Sequence, residues 1–459
     1  MGHPEVSLDD APVTWFHRRL AFLAAGGPFC DGYILGIVVV ALPLITKDLH
    51  LTALQNALFG AAGLLGMFLG GAIFGPITDR FGRRPMYILN LVVFVVLSLA
   101  HLVIHDLTLL IVVRVVMGMA IGADYPIATA LVVEFLPRKL RGPTLSSLTL
   151  MFWLGYIVSM CVGPFVADAR SEAWRYVLAS AAIPSAIFLF MRLDIPESPR
   201  WLLSAGRVDE ARRIVLKHLG PHVDFAQLQG ETPDSSGRKG LGFSSIRDLF
   251  RAGYGPTLFF CSMFWLCQVA PSFAIKTFQP LLLQAIGVRQ VFWGTLAITS
   301  FAIIGTALGM AFVNRVGRRW LLIGSYVGST AALLILATPL AGVAALAVAM
   351  FILFTVSEAV GSSLQFVYPN ELFPTHVRAT GMGLAIAASR IGAAAGTFAL
   401  PLTLSSFGET GGMLTATGIS AVGLLVSLVM APETRERGLA GTQALTGQTE
   451  TASYRDSKV

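Results

Sequence analysis

Five ionisable side chains stand deep inside otherwise apolar runs: Asp31, Arg114, Asp124, Glu358 and Arg390. A charge near the centre of a bilayer costs at least ~2.5–3.5 kcal/mol, so each of them needs a partner or a task. A carboxyl buried alone holds its proton, and an Arg within about 4–6 Å makes it give the proton up. A buried carboxylate that meets and leaves a guanidinium is therefore a proton carrier. An Arg facing a solute is a clamp, because its planar fork takes a carboxylate or phosphate through two parallel hydrogen bonds. Asp31 lies about eleven residues into its run, hence ~16 Å deep. Asp124 follows Arg114 by ten residues, ~15 Å along one helix and roughly 80° around it, too far to share its partner. Its readings are a second proton site, a solute contact, or a bond to backbone opened by Pro126. Arg390 lies about twelve residues into its run and either clamps an anion or pairs with Glu358. Lys276, near the outer end of another run, is expected to snorkel to the surface.

The elements that must carry these groups are membrane spans. Hydrophobic residues make up 55% of the 459-residue chain, charged residues 13%, and mean hydropathy is +0.71. A soluble domain devotes about a quarter of its residues to charge. Apolar runs fall at 20–46, 55–76, 86–105, 107–132, 143–167 and 174–192, then at 255–283, 291–313, 320–338, 341–367, 379–403 and 411–431. Each is near the ~20 residues a helix needs to cross a bilayer. The even number of spans puts both termini on one side. Of the 33 basic residues, all but Lys47, Arg170, Arg175, Arg289 and the embedded Arg114, Lys276 and Arg390 fall on the side of the termini. The positive-inside rule makes that side the cytoplasm. This distribution explains the formal charge of +7 as topology and lipid contact, and removes nucleic acid as a partner. The four cysteines lie in apolar runs without metal-ligand spacing. No metal or cofactor is expected, and the polar start of the chain lacks the features of a cleaved signal peptide.

The chain repeats itself. Asp79-Arg80-Phe81-Gly82-Arg83-Arg84 returns as Asn314-Arg315-Val316-Gly317-Arg318-Arg319. Glu134, Pro137 and Arg141 return as Glu371, Pro374 and Arg378, and Pro196-Glu197-Ser198 returns as Pro432-Glu433-Thr434, all at offsets of 235 to 237. A duplicated six-helix unit follows: residues 1–192 as one half, 193–254 as a linker, 255–431 as the other half and 432–459 as a tail. Two such halves place a solute site near the midplane between them, opened to each side in turn.

These motifs carry a resemblance over about residues 18 to 438. Gly75-x3-Asp79-Arg80-x-Gly82-Arg83-Arg84 resembles the signature loop of the major facilitator superfamily. Pro196-Glu-Ser-Pro-Arg-Trp-Leu202, followed by Gly206-Arg207 and Glu210-Ala211, resembles the sugar-porter signature, as does Tyr368-Pro-x-Glu371-x2-Pro374-Thr-x2-Arg378-Ala-x-Gly381. The resemblance implies an all-α membrane protein, the major facilitator fold of 12 transmembrane helices in two parallel six-helix halves. It also implies that Asp31 and Arg114 form the proton-coupling pair, with Asp124 a further candidate. A cytoplasmic gate is implied as well, made of Asp79, Arg80, Arg83, Arg84, Glu134 and Arg141 in one half and Arg318, Arg319, Glu371 and Arg378 in the other. Arg83 or Arg84 is expected to meet Glu134 and Arg141, and Arg318 or Arg319 to meet Glu371 and Arg378, with ion pairs between the halves closing the inner side. The pocket departs from the sugar-porter pattern. Only Gln268 remains of the Gln-Gln, Gly, Asn motif of helix 7, and the helix 10 Trp is missing from 358–368. Gly122-Ala-Asp124-Tyr125-Pro126 resembles phosphate:proton symporters instead, and Ala388-Ser389-Arg390-Ile391-Gly392 resembles organic-ion transporters.

The expected function is thus secondary active transport of a small polar solute, an organic anion such as a monocarboxylate or aromatic acid, by proton symport and alternating access. Sugar, polyol or phosphate symport and drug or metabolite export are the alternatives, and a solute sensor is the alternative outside transport. Tyr125, Trp153, Tyr156, Trp265, Gln268, Glu358, Gln365 and Arg390 are the candidates for solute contact. The partners expected are the solute, protons and the lipid bilayer of a plasma (inner) membrane, crossed many times by a monomer. An enzyme is disfavoured, since no nucleophile–base or metal-ligand constellation stands out, and no Gly-x4-Gly-Lys-Ser/Thr loop supports pumping driven by ATP. The linker is expected to begin with an amphipathic helix at 208–219 and to continue as a flexible stretch at 231–240. The end of the chain, 441–459, reads as disordered.

Overall fold

In a computed structural model the chain is described over residues 7–8, 11–166, 172–220, 223–231, 249–251, 253–373 and 375–434. The linker stretch at 232–240 and the tail at 441–459 lie outside the described residues. The first part holds α1 (Trp15–Asp48), α2 (Ala53–Phe81), α3 (Arg83–Ala100), α4 (Leu107–Phe135), α5 (Arg138–Val166), α6 (Ala173–Ala179) and α7 (Ala182–Arg192). The linker holds α8 (Pro199–Ser204), α9 (Val208–Ile214), continued by a wider turn over Val215–Leu219, and α10 (Phe225–Glu231). The second part holds α11 (Gly255–Ala285), α12 (Val291–Val316), α13 (Arg318–Leu336), α14 (Ala344–Ser362), α15 (Leu364–Leu372) and α16 (Thr375–Met430).

Among the described residues, ten helical stretches are long and apolar enough to cross a bilayer, and Ser147–Val162 of α5 is a shorter one. One of the ten, Thr380–Met430, breaks at Gly408 (φ 67°) and so contains two spans, which brings the number to the twelve of the major facilitator fold. The loop expected between spans 11 and 12 is reduced to that single glycine, whose left-handed backbone costs Gly little. α6 and α7 form one span bent at Ser180, where Pro184 has no N–H to give the Ser180 carbonyl. The Ser180 hydroxyl bonds the Val177 carbonyl at 2.7 Å and the Tyr33 hydroxyl at 3.0 Å.

The chain divides into two compact units, residues 1–48 with 66–240 and residues 49–65 with 241–459. Residues 49–65, which the repeat assigns to the first half, group with the second unit. There Gly60 packs on Phe278 and Thr397. Inside each unit the duplicated helices pack alike. α1 meets α5 where a Cβ at Gly32 or Gly36 would strike the Phe152 or Tyr156 backbone, and α11 meets α16 where one at Gly392 or Gly396 would strike Leu266 or Ala270. Small residues that let backbones touch are how helices associate in lipid, where apolar burial gives no drive.

Candidate functional site

The end of each unit where the repeated motifs meet is built on a carboxylate. In the first unit Glu197 accepts hydrogen bonds from the backbone N–H groups of Arg83 (3.0 Å), Arg84 (3.2 Å) and Ser198 (2.9 Å). In the second, Glu433 accepts from Arg318 (3.0 Å) and Arg319 (3.2 Å). Each carboxylate thus caps the N-terminus of the third helix of its repeat, where orphan N–H groups and the helix dipole attract an anion. Gly82 (φ 100°) and Gly317 (φ 95°) precede those helices, and a Cβ at either would strike the carboxylate. Burial pushes the Glu197 carboxyl above its ordinary value, against the opposing pull of these N–H groups and of Arg83. Glu197 and Glu433 served above only as landmarks of the repeat. The signal for their role was present, in that each recurs with the Gly-Arg-Arg it caps.

The gate residues join the same clusters. Arg83 Nε lies 3.4 Å from Glu134, and Arg318 Nη2 lies 3.0 Å from Glu371. Both pairs form inside their own unit. Arg84 donates to the Leu193 carbonyl (3.0 Å) and Arg319 to the Leu428 carbonyl (3.1 Å). Arg378, expected beside Arg318 or Arg319, directs Nε to the Phe373 carbonyl at 3.0 Å from the turn that starts α16. Glu371 also accepts from the Thr434 hydroxyl. Arg80 is exposed over the Phe81 ring. The side chains of Asp79, Arg141 and Tyr125 lie outside the described residues.

Inside the first unit, Asp31 on α1 and Arg114 on α4 are both buried. Asp124 has a partner that the sequence reading missed. Arg192, the last residue of α7, is fully buried against it at 3.5 Å. Asn90 donates to the same Asp124 oxygen at 2.8 Å. Arg192 also donates to the Tyr87 carbonyl (3.3 Å) and to the Leu23 carbonyl of α1 (3.2 Å), and lies 3.5 Å over the Tyr87 ring. The cluster thereby grips α1 at Gly26-Gly27-Pro28, one turn before Asp31. Arg192 closes the apolar run at 174–192, and position in the chain shows that a residue ends a helix and not that it turns inward. Trp153 and Tyr156 stack edge to face at 5.8 Å on the buried side of α5.

In the second unit two expectations are corrected. Lys276 does not reach the surface. It is buried, 2.8 Å from Glu358 on α14 and 2.7 Å from the Ser272 hydroxyl. The cation beside Glu358 is therefore Lys276, in place of the expected Arg390. The Lys276 side chain returns along α11 by one turn to Ser272, so its depth is set by packing. Gln268 donates to the Glu358 carbonyl at 3.3 Å and accepts from Gln365 at 2.9 Å, which brings together three solute candidates. Arg390 is half-buried on α16 and Trp265 fully buried on α11.

Apolar helices that span a bilayer, duplicated in two units that each hold ionisable groups in their interior, define a membrane transporter of the major facilitator fold. The chain belongs to the family described as sugar (and other) transporter, whose model matches residues 20–445. It is 38% identical to the metabolite transport relative YaaU of Escherichia coli K12, over 96% of this chain and 98% of that one. It is 28% identical to a D-xylose transporter of Levilactobacillus brevis, over 92% and 94% of the two chains. Among solved structures it resembles the proton:xylose symporter XylE of E. coli with a TM-score of 0.73, at 21% identity, covering 94% of this chain and 99% of XylE.

Proposed function

We propose that this transporter imports a small, neutral, hydroxyl-rich solute of the sugar or polyol class by proton symport and alternating access. The observation that carries the reading is the Gln268–Gln365 amide pair, tied to the backbone of Glu358. Amides offer a donor and an acceptor together, as a hydroxyl requires. Lys276, the cation bound to Glu358, already has a carboxylate partner, which leaves the amides to neutral groups. The family description and the xylose relatives point the same way. Asp31 and Arg114, buried on α1 and α4 of one unit, are the proton-coupling pair in this reading. Organic-anion transport ranks second and rests on Arg390 alone.

Uptake into proteoliposomes distinguishes the two. Under an imposed proton gradient, labelled pentoses, hexoses and polyols are compared with a carboxylate and its amide. The proposal expects accumulation of a neutral compound and near-normal uptake by Arg390→Ala. It fails if only the carboxylate is carried and Arg390→Ala loses a charge-assisted contact of about 1.5–3 kcal/mol, roughly 10- to 150-fold in affinity.

A further inference from the structure

We propose that Glu358 is a second proton-binding carboxylate, loaded when Lys276 parts from it, so that the second unit carries an ionisable switch of its own. The proposal rests on the proton-coupled reading and adds a site to it.

The pair lies in the interior of one unit, with side chains 9% and 7% exposed. Its stabilising value is doubtful, since buried ion pairs can often be replaced by apolar residues at no loss. Its surroundings suit movement. Pro271, one residue before Ser272, removes an N–H from α11, and the span of α14 is interrupted at Ser363 before α15 begins. Each member stands five residues from such a point, and a small bend there separates groups held at 2.8 Å.

Beside Glu358 is a cavity of about 10 Å³ lined by Gln268, Ser325, Tyr326, Ser329, Phe354 and Ser420, among others. That volume and those polar walls suit one water molecule. Such a water can relay a proton to Glu358 without exposing it to bulk solvent. The other groups facing the site are few. α11 brings Lys276 and the Cys267 thiol, and α13 brings Tyr326, whose hydroxyl donates to the Phe264 carbonyl. The only charged residue of α12 is Arg315 at its end, and α16 carries Arg390 two residues before Gly392, which packs on Leu266. With Lys276 in place Glu358 has an ion-pair partner at 2.8 Å. With Lys276 withdrawn, the buried carboxylate takes a proton that a hydronium ion of one aqueous side delivers through the cavity water: an O–H bond forms on Glu358, an O–H bond of the hydronium breaks to leave neutral water, and Lys276 keeps its own charge. Release to the other aqueous side completes the step.

The test needs no solute. pH-difference infrared spectra of the reconstituted full chain report the C=O stretch of a protonated buried carboxyl. In an Asp31→Asn background with Glu197→Gln, a titrating band should remain, vanish on adding Glu358→Gln, and change its titration on adding Lys276→Met. The double change Lys276→Met with Glu358→Gln leaves no orphaned charge and serves as the folding control. An identical titration with and without Glu358→Gln, in folded protein, overturns the proposal. Failure of the proton-coupled reading itself shows separately, as wild-type uptake indifferent to an imposed proton gradient.

Discussion

Asp31 stands about two turns beyond the point where Arg192 and Tyr87 bond the Leu23 carbonyl, so the α1 backbone that carries it is held from two neighbouring helices. A neutral amide cannot cycle a proton. Asp31→Asn is expected to abolish accumulation driven by a pH gradient while solute exchange across liposomes continues, which paired uptake and exchange assays check. The Asp124–Arg192 cluster makes a different prediction. Arg192→Met orphans a fully buried carboxylate and should destabilise the protein by about 3–5 kcal/mol. Adding Asp124→Leu should recover much of that loss, because the charge that needed a partner is gone. Thermal unfolding in detergent across this double-mutant cycle measures the coupling, and strictly additive losses would refute it.

At the scale of elements, the carboxylate caps are the recurring device. Glu197→Ala or Glu433→Ala takes the carboxylate cap from at least two N–H groups at a helix N-terminus, at a cost of about 0.5–2 kcal/mol, visible as a lowered unfolding temperature. The pH dependence follows from burial of Glu197. A carboxyl held above its ordinary value of 4.5 binds its proton more tightly in the folded chain than in the unfolded one. Its contribution to stability is full below that ordinary value and falls as pH rises through the raised one. Glu197→Gln removes this titration, so the stability of wild type relative to the variant should decline across that mildly acidic window. Unfolding temperatures measured from pH 4 to pH 7 in steps decide it, and a constant difference would show that the carboxyl does not titrate there.

For the whole molecule, Glu134 and Glu371 hold equivalent arginines in the two units, at 3.4 Å and 3.0 Å. Neutralising both is expected to change the balance between the two access states without touching the interior groups. Cysteine labelling from each side of the membrane reports that balance. Unchanged labelling would leave these glutamates a local structural role.

The spans, the duplication and the motif positions were legible in the chain because each is a one-dimensional property. Hydropathy over about 20 residues shows what can cross lipid, and a repeated offset shows a copied unit. Depth was legible too, since a helix rises 1.5 Å per residue, and it marked Asp31, Arg114, Asp124 and Glu358 as interior groups. What depth cannot supply is a partner. Each residue turns a helix by about 100°, and which face meets which neighbour depends on packing between segments far apart in sequence. Arg192 therefore reaches Asp124 across 68 positions and Lys276 reaches Glu358 across 82, and neither separation is any multiple of the repeat. Tertiary packing alone made Lys276 an interior ion, turned Arg192 inward, and set two repeat landmarks, Glu197 and Glu433, as caps on the helices they follow by more than a hundred residues.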